Sequence, residues 1–437
     1  MREYSRNDSL RNLIKEARWT HHSFAVAVNN IGAEVGVALH YDRTAVSHWL
    51  AGSRPRPPVP EFMTEALSRR LGRPMTLADI GLTDLSAPAE PPAETSRGLQ
   101  TLRDLVMADL DPAVRAKLRE LPFQATLAVA PRWACDSRPR SLTMTNEGEA
   151  ATLAVISTMT SAFATADRML GGGYARSAVT AYLATAVGAQ VPSGAALRSN
   201  HAHLGAAAAL AQLIGFMCFD NLHHYLAQRY YRAALQLAEE SNDVTRHTVI
   251  LHDMSVQALF LGHYQKATQL AEAAVERASD LTPASTRSAL LGQAAVCHAA
   301  LLQSRQAFQH LADSEKSVVQ ADDGSGLADL EHRTGLVLAL LQDLGRAEVA
   351  LADSLRHRPE AERRSRMLTT HQLADVQLRR ARPEEACTTW QRFLNEYPYM
   401  HSARINVTFR KFRTRLQEHR NNESVRHVLY QASKVAG

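Results

Sequence analysis

Three short helices near the N-terminus are predicted by apolar residues that recur at helical spacing. Their apolar stripes are, in chain order, Leu10-Leu13-Ile14-Ala17, Phe24-Ala25-Val28 and Val46-Trp49-Leu50. Thr20 and Asp42 precede the second and third stripes and are typical N-cap residues. Three such helices predict a helix-turn-helix unit. The segment Asn29 to Tyr41 exceeds the usual three- or four-residue turn, so either the second helix reaches Glu34 or the turn is elaborated.

The polar side of the third helix has the residue types that read DNA. Arg43, Thr44, Ser47 and His48 face away from its apolar stripe and suit base edges or phosphates in a major groove. The basic, proline-rich segment that ends the helix adds further cations, and the start of the second helix adds hydroxyl groups. The predicted DNA-binding residues are Thr20, Ser23, Arg43, Thr44, Ser47, His48, Arg54 and Arg56. Short amphipathic helices that end in Gly and Pro are common, so this segment alone leaves DNA binding open.

Composition shifts divide the chain into four parts. A head, residues 1–85, precedes a Pro/Ala/Glu linker at 86–97, which cannot bury a core and is expected to leave the head mobile. Connecting helices are predicted within 98–146, at Leu99–Leu110 and Pro112–Leu121. The remainder, 147–437, is rich in alanine and leucine at helical spacing and predicts further helices.

Small residues predicted to begin the second helix of each helical pair indicate a repeat in this last part. Ala233, Ala267, Ala307, Ala350 and Ala386 are separated by 34, 40, 43 and 36 residues. The first separation equals the tetratricopeptide repeat length, which favours a degenerate solenoid of that kind. A generic helical bundle is the alternative.

The first helix of each pair lines the concave surface of a solenoid, where ligands or partners bind. In the register above, inner positions include Gly292 and Gly335. The predicted ligand or partner groove comprises Cys218, Tyr225, His252, Val256, Phe260, His371, Asp375 and Arg379. Histidines beside aromatic residues suit a polar, uncharged small molecule. A peptide or a protein is nearly as well suited, and an error of one residue rotates each position by about 100°.

Four stretches carry a resemblance to a known family: Tyr41 to Pro58, Leu67 to Pro74, Leu170 to Arg176 and Phe219 to Asp243. They resemble the Xre-type helix-turn-helix regulators of actinobacteria that carry a tetratricopeptide-like region. The resemblance implies a transcriptional regulator, often of secondary metabolism or development. From the residues themselves we expect double-stranded DNA as a partner and a homodimer. The alternative is a scaffold that sequesters a protein without reading DNA.

Composition argues against several other classes. The N-terminus lacks a signal-peptide core, and no run reaches about 18 uninterrupted apolar residues, so we expect a cytoplasmic protein, nucleoid-associated on DNA, without a membrane span. The net charge of +5 is compatible with a polyanion partner. The four cysteines lack zinc-site spacing, and Gly171 to Gly173 lack the Lys-Ser/Thr of a phosphate loop. We therefore expect no catalytic residues, metal or cofactor, and no enzyme.

Overall fold

Helices account for all the regular structure that the computed structural model describes, which is residues 6–82, 98–131, 147–188, 201–279, 281–321 and 326–435. The predicted all-α class is confirmed, since these ranges contain no strand. The 86–97 linker and most of the segment between the connecting helices and residue 147 lie outside them. Two 3-10 helices, Tyr397–Tyr399 and Gln417–His419, accompany the α-helices, which are α1 Asp8–Glu16, α2 His21–Glu34, α3 Arg43–Leu50, α4 Val59–Leu71, α5 Gly98–Leu110, α6 Pro112–Glu120, α7 Glu147–Leu170, α8 Gly172–Gly188, α9 His201–Asp220, α10 His224–Glu240, α11 Val244–Phe260, α12 Tyr264–Arg277, α13 Ala284–Ala300, α14 Ser304–Ala321, α15 Leu327–Leu340, α16 Leu344–His357, α17 Arg363–Arg379, α18 Pro383–Glu396, α19 Ala403–Leu416 and α20 Glu423–Val435.

The head, defined by α1 to α4, closes around the three apolar stripes that the sequence predicts. All ten residues of those stripes are buried in one core, where Trp49 of α3 meets Phe24 of α2 edge to face. Both alternatives for the turn hold, because α2 reaches Glu34 and residues 35–42 then form an elaborated connection. Gly32 permits that connection to return across α2, since a Cβ there would lie 2.6 Å from the Leu39 side chain.

The chain divides into two units, 1–144 with 180–242 and 254–270, and 145–179 with 243–253 and 271–437. Within the first unit the predicted connecting helices appear as α5 and α6 and pack against α10. The Tyr230 hydroxyl donates to Asp109 at 2.9 Å. The side-chain amide of Gln228 exchanges two 2.9 Å hydrogen bonds with the backbone of Gln124. Residues 98–131 therefore pack against the helices of this unit.

A buried polar contact holds the head against the helices of the same unit. The Glu65 carboxylate of α4 lies 2.9 Å from Nε2 of His263, and both side chains are almost fully buried. Arg69 donates to the same Glu65 oxygen at 2.7 Å and to both Glu34 oxygens at 2.8 Å. The ring of Phe123 packs on His263 at 4.8 Å between centroids. In this structure the head is thus anchored, in contrast to the mobile head predicted from the linker.

A repeat is visible in the paired helices, but its period differs from the predicted one. The second helices α10, α12, α14, α16 and α18 begin at intervals of 40, 40, 40 and 39 residues. The fourth residue of each is a fully buried alanine: Ala227, Ala267, Ala307, Ala347 and Ala386. The prediction is correct at Ala267, Ala307 and Ala386. It is wrong at Ala233 and Ala350, which lie further along α10 and α16, so the 34-residue separation does not mark a repeat.

The turn within each pair has one geometry. The backbone N–H that precedes the second helix donates to a carbonyl five residues earlier, as at His223 to Cys218 and Asp343 to Leu338, each at 2.9 Å. This bond is the longer one of a Schellman helix ending. In each turn the residue immediately before the donor has a left-handed φ, between 58° and 83°. In the five turns this residue is Leu222, Gly262, Leu302, Gln342 and Ala381.

Small residues let the two helices of a pair approach closely. A Cβ at Gly215 of α9 would lie 2.8 Å from Tyr231 of α10, and one at Gly335 of α15 would lie 2.6 Å from Leu351 of α16. Gly335, predicted on the inner surface, therefore lies between its paired helices. The repeat register assigned from the sequence is therefore wrong by part of a helical turn at Gly335.

Helix α9 is long and apolar enough to cross a membrane by length and composition, with a mean hydropathy of 1.6. In this fold 61% of that segment is buried against protein. The buried core helix of a soluble protein can have the same length and mean hydropathy.

Candidate nucleic-acid interface and ligand cleft

The candidate DNA-reading helix α3 begins as the sequence predicts. The Asp42 carboxylate accepts from the backbone N–H groups of Thr44 and Ala45 at 2.9 and 3.0 Å. The hydrogen bonds from Ala45 and Thr44 hold the pKa of Asp42 below its ordinary value. The cap is therefore ionised at neutral pH and fixes where the helix starts.

The four polar residues predicted on α3 are all exposed on its outer side. Arg43, Thr44, Ser47 and His48 project away from the head core. The start of α2 lies beside them, because the Ser47 hydroxyl is 3.4 Å from Nδ1 of His21. His21 was not among the residues predicted from the sequence, since its nearness to Ser47 depends on tertiary packing.

The N-terminus of α2 supplies the hydroxyl groups of the same surface. Thr20 caps the helix by accepting from the Ser23 N–H at 3.0 Å, and its hydroxyl lies 2.9 Å from that of Ser23. Unsatisfied N–H groups and the positive end of the helix dipole make such a terminus suited to a phosphate. We call Thr20, His21, Ser23 and the four α3 residues the α3 surface.

Exposed cations lie beside the α3 surface. Arg54 and Arg56 are exposed beyond the end of α3. Three carboxylates of the head are paired with other cations, Glu34 and Glu65 with Arg69, and Glu16 with Arg73. These acids therefore do not neutralise Arg43.

The predicted groove residues fall into separate places. In the first unit Cys218 is fully buried, Tyr225 and Val256 are half-buried, and Phe260 is 39% exposed and packs on Phe219. In the second unit His252 lies 3.1 Å from Asp253 and 3.4 Å from Arg333. His371, Asp375 and Arg379 line one cleft of the second unit.

That cleft has a volume of about 320 Å³ and lies where α15, α17 and α19 meet, with one residue from α16. Its volume is at the low end of the range for small-molecule sites. Half of the residues that line it are apolar. The lining residues are Leu336, Ala339, Leu340, Leu351, His371, Gln372, Asp375, Val376, Arg379, Lys411, Phe412 and Arg415.

The polar groups of the cleft are unequally satisfied. Asp375 forms an ion pair with Arg415, and Arg379 donates to the Ala339 carbonyl and to Gln342, each at 3.0 Å. Nδ1 of His371 and Oε1 of Gln372 are buried without a hydrogen-bond partner. Burial, together with Arg415 and Lys411, lowers the pKa of His371 to about 4, so the ring is neutral at physiological pH.

A metal site is not formed by the described residues, in which no three His, Cys, Asp or Glu side chains come together. The cleft therefore offers hydrogen bonds and charge instead of metal ligands. Reduced, buried Cys218, Cys297 and Cys387 lie in separate helices.

A comparison with known protein families gives a match to the head. A family model described as the SP15 N-terminal domain matches residues 10–83, which begin inside α1 and contain α2 to α4. No curated protein matches the chain. The likeness thus supports the head as a discrete domain and leaves the paired helices to be interpreted from their own structure.

Proposed function

We propose that this protein is a sequence-specific DNA-binding transcriptional regulator with a helix-turn-helix head. Its tandem helical pairs form a tetratricopeptide-like body that senses a ligand or partner. The single observation that carries the proposal is the α3 surface, a capped helix that exposes Arg43, Thr44, Ser47 and His48 together.

The residue types on that surface suit different parts of a DNA duplex. Arg43 can donate two parallel hydrogen bonds to guanine, and His48, Thr44 and Ser47 can contact bases or phosphates. Thr20 and Ser23, at the start of α2, suit a phosphate that flanks the groove. Arg54 and Arg56 add charge contacts to the backbone without reading sequence.

The proposal includes a homodimer. One head of this size buries too little surface for tight binding, and a second head supplies affinity through effective concentration. Two heads read half-sites about 34 Å apart along the groove. DNA selected by the protein should therefore contain a repeated or palindromic half-site.

Selection of bound DNA from a random pool, followed by titration of the recovered site, tests the proposal. Arg43→Ala and His48→Ala should each weaken specific binding by about 1 to 3 kcal/mol, because each removes a base contact. Lys15→Ala on α1 is the matched control: it also removes one exposed positive charge, but outside the α3 surface.

Circular dichroism of each variant verifies that the exposed substitutions leave the fold intact. If the double variant Arg43→Ala/His48→Ala binds the selected site as well as the unaltered protein does, the DNA-reading role is abandoned. A scaffold that acts by sequestering a partner protein then becomes the better interpretation.

A further inference from the structure

The cleft of the second unit is lined by apolar side chains, by three cations, and by two residues that each hold a buried polar atom without a hydrogen-bond partner. Leu336, Leu340 and Phe412 supply apolar surface, and Leu340 is 38% exposed at the opening. Such a wall favours a hydrocarbon or aromatic body over a fully hydrated ligand.

Cations outnumber anions in the same cleft. Arg379, Lys411 and Arg415 face one carboxylate, Asp375, which is already paired with Arg415. Lys411 is exposed and forms no ion pair with any described residue. A negatively charged group on a ligand would give Lys411 a partner and would share the Arg415 guanidinium with Asp375.

Two buried polar atoms among the cleft residues lack a hydrogen-bond partner. Oε1 of Gln372 accepts from no group, although a buried acceptor without a donor is costly. Nδ1 of the neutral His371 is in the same condition, and its ring is fixed edge to face on Phe412 at 5.5 Å. A hydroxyl group can donate to one of these atoms and, depending on the histidine tautomer, accept from the other.

We propose that this cleft binds a small amphipathic organic acid: an apolar body, one carboxylate toward Lys411 and Arg415, and one hydroxyl toward His371 and Gln372. This class differs from the uncharged ligand predicted from the sequence, because the cations of α19 meet α17 only in the folded chain. The inference rests on the proposed sensing role for its effect on DNA, but binding itself needs no DNA.

Isothermal titration of the full chain with three matched probes tests the site. 3-Hydroxydecanoate has all three features, decanoate lacks the hydroxyl, and 1,3-decanediol lacks the carboxylate. We expect 3-hydroxydecanoate to bind at least about tenfold more tightly than either other probe, since a hydrogen bond to a charged or buried group contributes on this scale.

Variants assign the binding to the cleft. Lys411→Met should weaken 3-hydroxydecanoate about tenfold and leave 1,3-decanediol unchanged, whereas Gln372→Met should remove the preference for 3-hydroxydecanoate over decanoate. Arg410→Met is the matched control, because Arg410 is exposed on α19 next to Lys411 but does not line the cleft. Leu340→Trp, at the opening, should obstruct all three probes.

Absence of 3-hydroxydecanoate binding, or equal affinity for the three probes, overturns the proposal. Binding that Lys411→Met and Leu340→Trp leave unaltered places the acid elsewhere and overturns it as well. Binding of a long acidic peptide in preference to all three probes would instead favour a protein partner. None of these outcomes depends on the DNA titration, so failure of the cleft and failure of the α3 surface are distinguishable.

Discussion

At the scale of single residues, local pattern predicts the caps and the exposed side of α3, but not the partners of buried polar groups. Asp42 and Thr20 lie within three residues of the N–H groups they cap, so the sequence alone identifies them. His263 is 198 residues from Glu65, and no spacing rule connects them.

His247 provides a test of how a buried histidine couples stability to pH. It is fully buried, and Nη1 of Arg277 lies 3.4 Å from its Nε2. Because the guanidinium can only donate, Nε2 must accept, and the ring is neutral. Burial first, and Arg277 second, lower its pKa from 6.5 to about 3. The unfolded chain takes up this proton below about pH 6.5, but the folded chain does not, so stability is lost as pH falls toward 3.

This one group should reduce the free energy of unfolding by about 1.4 kcal/mol per pH unit between pH 6 and 4. Urea unfolding at several pH values measures the slope. His247→Asn should make the slope shallower by that amount, whereas His22→Asn, at an exposed position on α2, should leave it unchanged. An unaltered slope in His247→Asn would show that this ring is protonated in the folded protein.

At the scale of elements, helix bounds are well predicted and the repeat register is not. Leu99–Leu110 and Pro112–Leu121 are predicted within one residue at each end, because apolar spacing and Pro define them. The register error has a physical origin: alanines are buried at many positions of α10, including Ala227, Ala233 and Ala234, so burial of a small residue does not identify one turn. Four of the five turns also lack glycine, the usual signal.

Two glycines of one helical pair separate close packing from helix propensity. Gly335→Ala places a methyl group 2.6 Å from Leu351, so α15 and α16 must move apart, at a cost of about 1 to 3 kcal/mol. Gly345→Ala, on α16 with no atom within 4 Å of the new Cβ, should be neutral or stabilising by up to about 1 kcal/mol. Thermal unfolding of both variants measures the difference, and equal effects would contradict close packing at Gly335.

At the scale of the whole molecule, the sequence predicts the division into a helical head and paired helices, and the structure adds a link within the first unit. The Pro/Ala/Glu composition of the linker predicts a head that is free to move. In the structure, Glu65, Arg69 and His263 instead form a hydrogen-bond network between the head and the paired helices of the first unit. The groove prediction included His371, Asp375 and Arg379, which line one cleft of the second unit. It missed Lys411 and Arg415, because neither their sequence distance nor a repeat relates α19 to α17.

Glu65→Leu tests the anchoring of the head. The substitution leaves buried His263 and half-buried Arg69 without their shared acceptor, which should lower the free energy of unfolding by about 3 kcal/mol. Glu16→Leu removes an exposed pair with Arg73 in the same domain and should cost at most about 1 kcal/mol. Urea unfolding of the full chain gives both values. Comparable losses would mean that the Glu65 contact adds nothing beyond an exposed ion pair.

The equal spacing of the turns bears on how such a chain changes its length. Removing residues 303–342 would join Leu302 directly to Asp343, the residue that follows the same left-handed position one pair later. The new junction keeps the turn geometry, and the buried alanine four residues into the next helix keeps its place. Insertions and deletions are therefore accommodated in whole helical pairs, in steps of about 40 residues, whereas the loss of a few residues inside a helix rotates every later side chain away from its partner.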